Sequence, residues 1–237
     1  MMFGFFWGDW TFLILIPAML FAFWAQARVQ STFKKYSTQF SGSGLTGEQA
    51  ARRLLDANGL YHIPVLRVSG HLSDHYDPRN HTLYLSDSVY DSRSAAAIGV
   101  ACHEAGHAIQ HATNYAPLSI RMAIIPACNV GSKLAMPLFI IGLLFAGASP
   151  YSSFLMLAGI ACFSLATLFQ LVTLPVEFNA SRRALEGIRS HHLLYDSEID
   201  GAKEVLTAAA MTYVAALASS LASLLRLILI AQRSRRN

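Results

Sequence analysis

Apolar residues gather into four long runs, with one extended polar stretch between the first and the second. Residues 10–27 are broken only by Thr11, Pro17 and Gln26; residues 136–148 and 154–175 follow, separated by a polar turn at 149–153. The fourth run, 208–231, is weaker because Thr212, Ser219, Ser220, Ser223 and Arg226 interrupt it. A helix needs ~20 predominantly apolar residues to cross a bilayer. The pattern therefore predicts a mainly α, multi-span helical membrane protein, and leaves open whether the fourth apolar segment spans fully.

The polar region, 28–116, changes period along its length. Residues 30–44 are rich in Ser, Thr and Gly and read as a linker. Residues 46–60 read as a short helix. Thr46 can cap it with Gln49 three residues on, Ala50, Leu54 and Leu55 share a face, and Asn58-Gly59 ends it. Residues 63–68 and 82–85 read as strands, the first broken by Pro64, and 71–80 carry turn chemistry centred on Asp77-Pro78. Residues 94–111 form the next helix, with Ser92 or Ser94 as cap and Pro117 beyond its end. Five segments result: a membrane anchor at 1–27, the polar region at 28–116, two spans at 117–175, a helix and loop at 176–207, and the fourth apolar segment with its basic tail at 208–237.

Composition agrees with a lipid environment. The 237 residues are 54% hydrophobic and 14% charged, with mean hydropathy +0.39, far from an average soluble domain. A net charge of +4 fits basic flanks around membrane segments, and no basic stripe suggests a nucleic-acid partner. Cys102, Cys128 and Cys162 lack metal spacing and read as small buried hydrophobes. Ala25-Gln26-Ala27 resembles a signal-cleavage site, but no Lys or Arg precedes the first run and Asp9 stands in the basic position, so a retained anchor is expected. Arg28, Lys34 and Lys35 follow that run, which places the polar region in the cytoplasm, and Arg182, Arg183 and Arg189 agree. Arg233, Arg235 and Arg236 disagree if the fourth run crosses fully.

Chemistry concentrates in His103-Glu104-Ala105-Gly106-His107. On a helix, positions i and i+4 share a face, so both imidazoles can reach one metal ion, with Glu104 beside a water on that ion. Zinc lowers the pKa of such a water to ~7, and Glu104 can take its proton as general base. The spacing points to a zinc hydrolase with a zincin-like HExxH helix and a small β element beside it. A catalytic zinc takes three protein ligands. His111 stands about 12 Å from His103 along a straight helix, so one ion cannot touch both. Glu177, at the mouth of the third run, is the better candidate, because two spans between the helix and Glu177 return the chain to the same side. Thr82, Leu83, Tyr84 and Leu85 are a candidate substrate edge strand, or a plain hairpin packed under the helix.

HEAGHAIQH followed by PVEFNASRRAL, with DHYDPR at 74–79 and AAAMTYV at 208–214, resembles the YugP-type neutral zinc metallopeptidases of bacterial membranes over nearly the whole chain. More distantly it is similar to the HtpX and CAAX-prenyl-protease type, which pair HExxH with a Glu opening an E-x-x-A-D motif. The resemblance implies one Zn2+ per chain on His103, His107 and Glu177, with Glu104 as base and proton shuttle. Ser181 stands where the distant relatives place Asp, so Ser181 or Asn179 is a candidate to orient a ligand histidine. His191, His192 and Tyr213 are candidates to stabilise the developing oxyanion. His62, His71, His75 and His81 fit no ligand template.

The expectation is an integral-membrane zinc endopeptidase acting on membrane or unfolded protein substrates, its site at the cytoplasmic membrane face. One alternative is a site-2-type intramembrane protease using Ile199-Asp200-Gly201. Asp196, Glu198, Lys203 and Glu204 around that motif are costly in lipid. A second alternative is a non-catalytic membrane scaffold, against which Glu104 speaks, since a structural site has no use for a general base. No feature fixes the oligomeric state.

Overall fold

The computed structural model describes residues 10–234. Residues 1–9 of the expected anchor and the tail arginines Arg235 and Arg236 lie outside them. A 3-10 turn, Trp10–Ile14, leads into α1 (Leu15–Ser37). Then come α2 (Gly47–Ala57), β1 (Val65–Val68), β2 (His75–Asp77), β3 (Thr82–Ser86), α3 (Ala95–Ala112), α4 (Ala116–Leu144), α5 (Ser152–Ser190) and α6 (Asp196–Ser234). Among the described residues, four helical stretches are long and apolar enough to cross a membrane: Trp10–Ser37, Ala116–Leu144, Ser152–Ser190 and Asp196–Ser234. The described residues divide into two compact units, one of residues 10–24, 120–173 and 213–234, the other of 25–119 and 174–212.

In the first unit the helices meet through small residues, as expected where lipid removes the hydrophobic drive between them. A Cβ on Gly142 would lie 2.7 Å from Ser152 O, and one on Gly159 2.7 Å from Ala135 O, so α4 and α5 touch backbone to backbone. Phe139 and Met156 pack with Leu227, Ile230 and Ala231 of α6. Thr167 and Ser220 share a hydroxyl hydrogen bond of 2.7 Å.

The second unit has a conventional core of Leu54, Leu55, Leu83, Leu85, Ile98 and Ile188 around the alanine-rich face of α3. Thr46 and Gln49 close the expected capping box on α2, and Asn58 ends that helix. Two expectations need correction. The stretch 30–37 is helix, not linker, because Thr32 and Phe33 are buried and hold α1 onto the core. The turn region 71–80 contains strand β2, tied down by Asp74, whose carboxylate accepts the Ser86 N–H at 2.7 Å and its Oγ–H at 2.9 Å. Burial pushes the Asp74 carboxyl above its usual value.

The sheet order is β1-β3-β2, with β1 parallel to β3 (Val65 beside Leu83) and β2 antiparallel to it (Tyr76 beside Leu83). Thr82, Leu83, Tyr84 and Leu85 therefore form the middle strand. Leu83 and Tyr84 are paired on both edges, which leaves no open edge at the centre of this strand for a substrate. The outer edge on that side belongs to β2.

Candidate metal centre

Ser94 caps α3 by accepting the Ala97 N–H at 3.2 Å, and the alanines that follow pack without polar atoms. One turn separates His103 from His107, and their rings stand edge to face with centroids 4.7 Å apart. Gly106, between them, explains what faces this pair. A Cβ there would lie 2.7 Å from Ala180 O, so only glycine lets α5 come this close to α3. That approach brings the buried Glu177 carboxylate to both imidazoles.

Glu177 Oε2 lies 3.3 Å from His103 Nε2 and 3.6 Å from His107 Nε2, and the three ligand atoms fall within 4.8 Å of one another. Four-coordinate zinc with ligands at ~2.0–2.1 Å implies donor atoms roughly 3.4 Å apart. Two imidazole nitrogens and one carboxylate oxygen at these separations fit that ion. No other group of three such side chains converges among the described residues.

Each imidazole is held from behind. His103 Nδ1 is 3.1 Å from Ser181 Oγ, and His107 Nδ1 is 3.0 Å from Gln110 Oε1. With Nδ1 engaged there, Nε2 is the ring nitrogen that faces Glu177 on both histidines, the one a metal would take. Gln110 is fully buried, and its amide donates to Val176 O at 2.8 Å and Asn179 Oδ1 at 3.0 Å. Arg183 Nε also donates to Asn179 Oδ1, at 2.9 Å. Burial by itself would lower the His107 imidazole, but the Glu177 carboxylate more than offsets it and raises His107 above its usual value.

Glu104 points to the sheet side of α3. Its Oε2 accepts the Tyr76 N–H of β2 at 3.2 Å. The general-base candidate and the free strand edge are thus in direct contact. Tyr76 also carries its hydroxyl to His111 and His81, so His111 is committed there and not to the metal group.

His191 and His192 are exposed beyond the end of α5. From Glu177 to Ser190 that helix advances about 20 Å, so they cannot stabilise an oxyanion at the metal group. Tyr213 lies on α6. Asp200 is exposed, and its neighbour Gly201 packs against Tyr36 and Gln39. Sequence reading missed Gln110 and Tyr76. The only signal for Gln110 was a polar residue three positions after His107 on the metal-facing side of an otherwise apolar helix.

Over residues 11–232 the chain matches a protein family described as "Putative neutral zinc metallopeptidase". A protein of Bacillus subtilis (strain 168), "Putative membrane protease YugP", is 48% identical over 217 residues, which cover 92% of this chain and 94% of the relative. No solved structure matches the chain.

Proposed function

Because the chain belongs to this neutral zinc metallopeptidase family, we propose that it is a membrane endopeptidase that holds one zinc per chain on His103, His107 and Glu177 and hydrolyses segments of membrane or unfolded proteins. The observation that carries the reading is the convergence of those three donor atoms with Glu104 alongside.

When bound, zinc makes a water acidic near neutral pH and polarises a peptide carbonyl. The remaining work belongs to side chains. Ser181 and Gln110 fix the imidazole tautomers and ring planes. Glu104 accepts the proton of the attacking water and later delivers it to the leaving amine, as a general base that becomes a general acid. Substrate lies as an added strand along β2, its carbonyl taking the outward N–H of Tyr76 that Glu104 now accepts. An extended chain is required for that geometry, which favours unfolded or loosely structured segments. The basic residues Arg28, Lys34 and Lys35 support a cytoplasmic position for the site.

Zinc content tests the ligand set. Purified protein should hold one equivalent, and Glu177→Ala should lose it as His103→Ala does, while His111→Ala keeps it. Full zinc in Glu177→Ala together with loss in His111→Ala would remove this site.

A further inference from the structure

Two histidines outside the metal group meet on one tyrosine. His111 lies one turn beyond His107 on α3, and His81 ends the β2–β3 turn in the left-handed region, at φ +51. Their rings stack with centroids 5.3 Å apart and planes 28° from parallel. Each presents Nδ1 to the Tyr76 hydroxyl, His111 at 3.1 Å and His81 at 3.4 Å. A phenol has one proton and spare lone pairs, so it can donate to one neutral imidazole and accept the N–H of the other. The same residue sends its backbone N–H to Glu104. Side chain and main chain of Tyr76 therefore grip α3 at two points, one on either side of the turn that carries His107.

Strand β2 has three residues and pairs only with β3. So short a ladder fixes register weakly, and a slip of one residue moves a strand by about 3.3 Å and turns every side chain to the opposite face. A base must stand within ~2.6–3.2 Å of the heavy atom whose proton it takes. A slip of that size would separate the scissile carbonyl from the water that Glu104 deprotonates.

We propose that Tyr76, clamped between His81 and His111, is a positioning residue that fixes the register in which an extended peptide lies over Glu104. The inference rests on the reading of β2 as the substrate edge. The clamp of the Tyr76 hydroxyl lies outside the metal group. Its effect is on which bond is presented.

The test uses the full-length, zinc-loaded protein with Tyr76→Phe, His111→Ala and His111→Gln. Amide exchange of the segment 74–78 should speed up about tenfold in Tyr76→Phe and His111→Ala, the range one lost hydrogen bond allows, with zinc content unchanged. On an unfolded test protein such as casein, mass spectrometry should show cleavage spreading from preferred bonds to their neighbours in those two variants. His111→Gln keeps a group that can bond the hydroxyl, and should restore both the slow exchange and the narrow cleavage pattern. A merely structural tyrosine would not change which bonds are cut. Unaltered exchange, or faster exchange with an unaltered cleavage pattern, overturns the proposal while leaving the peptidase reading intact. A zinc-loaded unmodified protein that cuts nothing sinks the peptidase reading, and this proposal with it.

Discussion

His103, Glu104 and His107 were legible from the sequence because helical spacing is a local property. Their supports were not. Gln110 does its work through Val176 and Asn179, 66 and 69 positions away, and no local pattern signals such a contact. Proximity in sequence also misled, since His191 and His192 follow Glu177 closely in the chain but a straight helix carries them away from it. The buried amide makes a prediction at this scale. Gln110→Ala leaves the His107 Nδ1–H without its acceptor and frees the ring to rotate. Loss of such a partner costs ~10–100-fold in metal affinity. Competition with a zinc chelator should show a weakening of that order, and Ser181→Ala should act similarly through His103. Affinity equal to the unmodified protein in both would mean that these side chains do not orient the ligands.

Helices and caps were well marked by the sequence, whereas the sheet was only half visible. Thr46, Gln49 and Asn58 bracket α2 by short-range hydrogen bonds, so its ends could be read directly. Strand β2 has three residues and exists through its pairing with β3 and the Asp74–Ser86 bonds, none of which a turn-like sequence reveals. That pairing makes His75–Asp77, rather than Thr82–Leu85, the outer strand on that side of the sheet, and so the strand proposed to receive substrate. Helix α5 continues through Pro175, which cannot donate to Leu171 O, so the apolar run and the candidate ligand Glu177 belong to one helix. Between α3 and Glu177 the chain makes two apolar passages, α4 and the first part of α5. Residues 40 and 190 should therefore lie on one side of the membrane, and single cysteines at these positions should both resist an impermeant thiol reagent in intact cells. Labelling at one alone would contradict the two-span connection; labelling at both would reverse only the cytoplasmic assignment.

For the whole molecule, composition revealed the membrane class, but the division into two units was not visible. It interleaves the ends of α1, α5 and α6 with the polar region, so it follows no linear segmentation of the chain. What unites the chain functionally is the claim that it cuts peptide bonds, and Glu104 tests that claim most directly. This carboxylate is not among the three converging ligand atoms, and Gln in its place keeps the size and can still accept the Tyr76 N–H. The substitution removes only the proton acceptor, worth ~10²–10⁴ in rate. The decisive measurement compares hydrolysis of an unfolded protein by the unmodified protein and by Glu104→Gln, at equal bound zinc. Hydrolysis should fall by that factor while zinc stays at one equivalent per chain; equal hydrolysis by the two proteins would contradict the account.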